Sequence, residues 1–167
     1  IKILYIIQYD SFATTLIPTI KSLIKKEYVC DIILLKTKFY KKNWISEKII
    51  SLFDDIKSPD SVFAILNERK TINKIKDNNY NLIVVGSPRT ILIEQISMYL
   101  QKNDIKSKLV SGYVGALLNN HPEKFIRGVR RRGYSNLIWT PGIESQETIL
   151  KLNIIDNKKT RVIDTGL

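Results

Sequence analysis

Residues 82–88, Leu-Ile-Val-Val-Gly-Ser-Pro, decide the fold class of this chain. The short apolar run predicts a buried strand that Gly86-Ser87-Pro88 closes. Pro88 suits the first position of a helix, because its missing N–H is not needed there. The apolar residues that follow predict a helix over 88–102. A buried strand that leads through a tight turn into a helix is typical of α/β proteins.

The same strand and helix alternation extends along the whole chain. An apolar run at 3–7 predicts a first strand. A helix is predicted after it, over 11–26, with Ser11 as its cap. Because this segment contains Pro18, the helix either starts nearer Pro18 or kinks there. We interpret 113–134 as irregular. The pattern predicts one three-layer α/β/α Rossmann-like domain over 1–167 with a mainly parallel sheet. The other predicted strands are 30–35, 62–66, 109–112, 136–140 and 161–164, and the other helices 45–53, 68–77 and 144–152.

Composition and missing motifs exclude several classes of protein. The chain has 167 residues, a net charge of +11 and one cysteine, so a disulfide scaffold or a Cys-rich zinc site is excluded. It contains neither the glycine-rich dinucleotide fingerprint nor a P-loop. No apolar stretch approaches the roughly 20 residues that cross a membrane. We therefore expect no metal and no cofactor.

Two loops at predicted strand ends carry candidate ligand-binding residues. In open α/β sheets ligands bind at the carboxyl ends of the strands, where the strand order reverses. If the first and fourth strands flank that point, Asp10 and Ser11 lie beside Ser87 and Arg89, each pair at the start of a helix that favours anions. Asp10 is a candidate base or a helix cap, and Arg89 an anion ligand or the partner of a carboxylate.

The loop region after the fifth strand adds two further candidates. His121, the only histidine, has the pKa range of a general base near neutrality, although it is also typical of an exposed loop. Tyr113 lies in Gly112-Tyr113-Val114-Gly115 and is able to stack on a sugar or to pack at a strand end. The two glycines indicate a close approach of the backbone to a ligand or to the neighbouring loop.

Four arginines within six positions form a basic cluster: Arg127, Arg130, Arg131 and Arg132. Arginine favours phosphate and carboxylate groups, so the cluster suggests contact with a phosphorylated acceptor or an anionic membrane. The alternative is a solvated helix or loop face. Nucleic acid is an unlikely partner, since the predicted strands are apolar on both faces and offer no basic, aromatic platform.

Three segments resemble the N-terminal domain of GT-B glycosyltransferases. They are 1–7 with its polar loop and long helix, 81–88, and the pair 111–115 and 133–139. The resemblance implies the acceptor-binding half of a two-domain transferase, with Asp10 or His121 as base and Ser11, Ser87, Arg89, Tyr113 and the arginine cluster on the acceptor side. A second domain would hold the nucleotide sugar, so the isolated half is expected to be inactive. The implied setting is polysaccharide biosynthesis in the bacterial cytoplasm, with contact to the inner membrane.

Two other functions stay open at the sequence level. A UDP-sugar 2-epimerase shares the fold and needs no acceptor, so ligand screening separates it from a transferase. A basic flavodoxin-like binding module would be complete without a second domain. The run Val162-Ile163-Asp164-Thr165-Gly166-Leu167 suggests a strand entering a turn, and we expect the native chain to continue beyond it.

Overall fold

The computed structural model describes residues 1–36, 45–112 and 122–165, which form two compact units, Ile1–Ser87 and Pro88–Leu167. The first unit contains β1 (Lys2–Ile7), α1 (Asp10–Ile24), β2 (Val29–Leu35), α2 (Glu47–Ile56), β3 (Phe63–Leu66), α3 (Glu68–Lys76) and β4 (Leu82–Gly86). The second contains α4 (Thr90–Lys102), β5 (Lys108–Gly112), α5 (Pro122–Arg132), β6 (Leu137–Thr140), α6 (Ile143–Lys151) and β7 (Arg161–Asp164).

The first unit has four parallel strands in the order β3-β2-β1-β4. Ile3 is paired with Cys30 of β2 on one side and with Leu82 of β4 on the other. Nearly every residue of β1 and β2 is buried, and successive residues point to opposite faces, so both faces are covered. The chain builds outward from β1 to β3 and then crosses back to β4. The strand order therefore reverses between β1 and β4, as predicted.

The second unit has three parallel strands in the order β5-β6-β7. Its core joins α5, β6 and α6 through the buried residues Val129, Ile138 and Ile149, with Ile155 from the segment before β7. All strand pairs within each unit are parallel, and helices alternate with strands along the chain. The predicted three-layer Rossmann-like class is therefore confirmed, while the treatment of 1–167 as one domain stays a prediction.

Two predicted details of the helices were wrong. The region 113–134, interpreted as irregular, contains helix α5, which buries Val129 and leaves Arg127 and Arg130 exposed. Helix α1 begins before Ser11, with Tyr9 as N-cap, and runs through Pro18 to Ile24. Pro18 is on the exposed face, where water can solvate the carbonyl that loses its hydrogen bond.

A buried carboxylate connects β1 and β2 with the segments before β3 and β4. Asp31 is fully buried in β2, and its Oδ1 accepts a hydrogen bond from the Val62 N–H at 2.8 Å. Its Oδ2 accepts one from the Tyr80 hydroxyl at 2.7 Å and lies 3.3 Å from the Lys2 ammonium. These contacts satisfy a charge that would otherwise be costly to bury. Burial and the hydrogen bond to Asp31 raise the pKa of Tyr80.

Candidate functional site

The predicted reversal point between β1 and β4 forms a tightly bonded edge in the first unit. Ile7 and Gly86 are paired at the ends of the two strands, and the Gln8 N–H donates to the Gly86 carbonyl at 3.0 Å. The loops that carry Asp10, Ser11 and Ser87 therefore leave the sheet side by side. A Cβ on Gly86 would lie 3.0–3.2 Å from Phe12 of α1, so glycine lets α1 pack closely against the end of β4.

A buried polar pair joins the two loops at this edge. The Ser87 hydroxyl donates to Gln8 Oε1 at 2.5 Å, and both residues are fully buried. Among the residues that the structure describes, Gln8 Nε2 has no hydrogen-bond partner. Ser87 thus fixes the neighbouring loop through Gln8 and is not exposed as a ligand. We infer that Ser87 acts as a positioning residue.

Asp10 connects the start of α1 with the start of α2. Its Oδ1 accepts a hydrogen bond from the Ser46 N–H at 2.8 Å. Ser46 is in turn the N-cap of α2 and accepts from the Ile49 N–H at 3.4 Å. Asp10 is not the cap of α1, because that position is Tyr9; the carboxylate instead lies in the first turn, where the helix dipole stabilises a negative charge. It is partly exposed, as a proton acceptor for a ligand would have to be.

The other predicted residues of the loop site are distributed differently. Ser11 is exposed beside Asp10 in the first turn of α1. Arg89 belongs to the second unit, where it is the half-buried N-cap residue of α4. Tyr113 and His121 lie outside the described residues. The structure thus brings Asp10, Ser11 and Ser87 to one edge of the first unit.

The four arginines of the predicted cluster have different surroundings. Arg132 is 5% exposed, and its Nε donates to the Gly112 carbonyl at 3.0 Å, so it holds the carboxyl end of β5. Arg131 lies 3.2 Å from Glu94 of α4. Arg127 and Arg130 are exposed, and within the described ranges neither makes an ion pair or a side-chain hydrogen bond. Of the four arginines in the cluster, Arg127 and Arg130 are therefore the two whose charges a surface or a ligand is able to contact.

Gly112 is required by packing against the neighbouring strand. A Cβ at this position would lie 2.0 Å from Cζ2 and 2.4 Å from Cη2 of the Trp139 ring. Trp139 is paired with Gly112 in the sheet and is almost fully buried. The predicted close approach at Gly112 is therefore to a side chain on the adjacent strand, and not to a ligand or to a neighbouring loop.

Sequence reasoning missed Gln8, Ser46 and Asp31. Gln8 had a usable signal, because it is the first polar residue after a fully apolar strand and lies at the reversal point. Ser46 had none, since its partner Asp10 is 36 positions away. Within the described ranges, no three His, Cys, Asp or Glu side chains are close enough to bind a metal ion together. Across the same residues, no helix has the length and apolarity to span a membrane.

Several solved structures have the same fold over almost the whole chain. HepE from Anabaena, crystallised with UDP and glucose, matches 99% of it with a TM-score of 0.70 and 14% identity. A protein named as a UDP-N-acetylglucosamine 2-epimerase from Listeria monocytogenes matches 96% with a TM-score of 0.64 and 14% identity. UGT2 from Phytolacca americana, solved with UDP-2-fluoro-glucose and pterostilbene, matches 99% with a TM-score of 0.59 and 9% identity. No family model matches the sequence, and no curated protein is similar to it.

These matches define the class of fold. The chain spans 44% of the length of the Anabaena and Listeria proteins and 53% of the Phytolacca protein. All three are proteins of the GT-B fold, and the predicted resemblance to a GT-B domain is therefore confirmed at the level of the fold. At such low identity the likeness does not carry over residue roles or substrates.

Proposed function

We propose that this chain is the acceptor-binding, N-terminal half of a GT-B glycosyltransferase. In this proposal a second domain binds a nucleotide sugar, and the sugar passes to a bacterial surface glycan or a lipid-linked acceptor in the cytoplasm, at the inner membrane. The observation that carries the proposal is the β1–β4 edge, where Asp10 and Ser11 stand at the reversal point of a GT-B-type fold. The UDP and glucose held by HepE and the UDP-2-fluoro-glucose held by UGT2 support a nucleotide sugar as the donor.

Asp10 is our candidate for the general base that removes a proton from the acceptor hydroxyl. One carboxylate oxygen is held by the Ser46 N–H, which fixes the side chain, and the residue is open to solvent. Such a fixed carboxylate is able to accept a proton once an acceptor hydroxyl lies within hydrogen-bond reach. In the same proposal Ser11, Arg89 and Tyr113 contact the acceptor, and His121 is the alternative base.

Replacing Asp10 by asparagine separates its two roles. Asparagine keeps an oxygen for the Ser46 N–H but cannot take up a proton, so the fold is retained while base catalysis is lost. With the natural full-length protein and UDP-glucose, we expect Asp10→Asn to lower the rate of UDP release about 100-fold or more. Asp54→Asn, at an exposed carboxylate of α2 that pairs with Lys57, is the matched control and should leave the rate unchanged. An unaltered rate in Asp10→Asn would exclude Asp10 as the base.

The second candidate function is half of a UDP-sugar 2-epimerase, which the match to the Listeria protein favours. The two reactions give different products from UDP-N-acetylglucosamine. An epimerase inverts one ring carbon without an acceptor, whereas a transferase moves the sugar to an acceptor and releases UDP. Proton NMR of the full-length protein incubated with UDP-N-acetylglucosamine alone distinguishes them, because only the epimerase reading predicts a new sugar epimer.

A further inference from the structure

A polar cleft in the second unit is lined by none of the residues that the proposed function assigns to the acceptor. It has a volume of about 600 Å³ and lies at the amino ends of β6 and β7. Its walls come from the end of α5, from the turn that leads into β6, and from the segment before β7. A cleft of this volume is within the range of small-molecule sites and is large enough for a monosaccharide.

The side chains that face this cleft combine an aromatic ring with positive charge. The ring is that of Tyr134, which is 46% exposed and stands directly after the α5 turn. Arg130 and Lys159 supply two cations, and Asp156 supplies one carboxylate, so the lining carries an excess of one positive charge. The Lys159 ammonium lies 3.6 Å from Asp156, whereas no ion pair of Arg130 occurs in the ranges that the structure describes.

Hydrogen bonds connect the backbone segments that line the cleft. The Thr160 hydroxyl lies 2.8 Å from the Gly133 carbonyl and 2.6 Å from the Ser135 carbonyl, and its single proton is donated to one of them. The Arg161 N–H donates to the Asn136 carbonyl at 3.0 Å, and Asn136 Oδ1 accepts from the Leu109 N–H at 2.8 Å. The bonds made by Thr160 and Arg161 join the segment before β7 to the turn that leads into β6, so a ligand would not need to order these two segments.

Charge and shape together select the class of ligand. A half-exposed tyrosine presents a flat apolar face that can pack against the C–H face of a sugar ring. The Arg130 guanidinium has no ion pair with any residue that the structure describes, and such a group favours phosphate or carboxylate. The carboxyl end of helix α5 contributes about half a negative charge nearby, which the excess cation outweighs. A neutral sugar would leave Arg130 unused, and a bare anion would leave Tyr134 unused.

We propose that this cleft is a binding site for an anionic sugar, with the ring on Tyr134 and the anionic group at Arg130 and Lys159. The site is separate from the acceptor site of the proposed function and does not depend on it. Phosphate and carboxylate sugars share the chemistry it recognises.

Calorimetric titration with four probes tests this proposal: glucose 1-phosphate, glucuronic acid, glucose and inorganic phosphate. We expect the two anionic sugars to bind at least tenfold more tightly than glucose or phosphate. The ratio of the Kd of glucose 1-phosphate to that of glucuronic acid then shows whether the site prefers phosphate or carboxylate. Arg130→Gln should abolish the preference for anionic sugars over glucose, and Tyr134→Ala should weaken both anionic sugars about tenfold. Lys124→Gln is the matched control on the same helix, because this exposed lysine does not line the cleft.

Three results would overturn the proposal. They are an absence of binding by both anionic sugars, a glucose affinity equal to theirs, or an equal loss of affinity in Lys124→Gln and Arg130→Gln. Circular dichroism melts of each variant establish that the fold is intact, which the exposure of Arg130 and Tyr134 leads us to expect. Chemical shift changes at the backbone amides of 133–136 and 156–160 would localise the ligand in the cleft.

Discussion

Replacing Gly112 by alanine tests the packing of β5 against β6 in the second unit. The new Cβ would lie 2.0, 2.4 and 2.5 Å from three atoms of the Trp139 ring, where ordinary contacts are 3.4–4 Å. Trp139 is 6% exposed, so its ring cannot move aside into solvent. Overpacking of a core costs about 1–3 kcal/mol, and three simultaneous overlaps place this substitution at the upper end. We expect a loss of about 3 kcal/mol, or roughly 6–12 °C in Tm.

Urea denaturation of matched variants measures this cost. Gly128→Ala is the control, because its Cβ would meet Arg132 Nη1 at 3.5 Å and Thr90 at 3.8 Å, which are ordinary contacts. As a glycine inside helix α5, it should gain about 0.5–1 kcal/mol on becoming alanine. In a Trp139→Phe background the cost of Gly112→Ala should fall by at least about 1 kcal/mol, since the ring is smaller. A cost below about 1 kcal/mol, or an equal cost in both backgrounds, would refute the reasoning.

Three further predictions concern stability, pH and charge. Tyr80→Phe removes a 2.7 Å hydrogen bond to the buried Asp31 carboxylate and should cost about 1.5–3 kcal/mol in urea denaturation; a loss under 0.5 kcal/mol would contradict the role of Asp31. Burial and the charge of Asp31 raise the pKa of Cys30 to about 11, so the folded state retains a proton that the unfolded state loses above about pH 8.5. Stability should therefore fall between about pH 8.5 and 11, and more steeply than in Cys30→Ala; parallel profiles would disprove this. The double substitution Arg127→Gln and Arg130→Gln should weaken the free energy of binding to anionic liposomes, measured by sedimentation at low salt, by about 2 kcal/mol. Unchanged binding would show that both arginines are only solvated surface charges.

The sequence predicted the strands of both units well, because each is a short apolar run closed by polar or turn-forming residues. The reversal between β1 and β4 was a hypothesis, because the order of the runs along the chain does not fix their order in the sheet; the structure confirms it. Helix α5 was not predicted, because its apolar positions Phe125 and Val129 stand among Gly128 and three consecutive arginines, which weakens the helical pattern of apolar residues. The periodicity of a sequence predicts which residues are buried together only when those residues lie in the same helix or strand.

The candidate site was predicted in part for the same reason. Asp10, Ser11 and Ser87 follow strand ends directly, so topology alone brings them to one edge. The contact of Asp10 with Ser46, and that of Arg132 with the Gly112 carbonyl, join positions 36 and 20 residues apart. A run of arginines gives no sign of which side chain turns inward, and here burial separates Arg132 from the exposed Arg127 and Arg130.

The central claim is that this chain is one half of a glycosyl-transferring enzyme. The most direct test measures the turnover of UDP-glucose by residues 1–167 alone. Turnover is followed as UDP release, with and without a lipid-linked acceptor. The same assay is run on a longer form that includes a second, nucleotide-sugar-binding domain. Because transfer requires donor and acceptor to be held together, the account predicts no turnover by 1–167 and turnover by the longer form. Robust turnover by the 167 residues alone would contradict it.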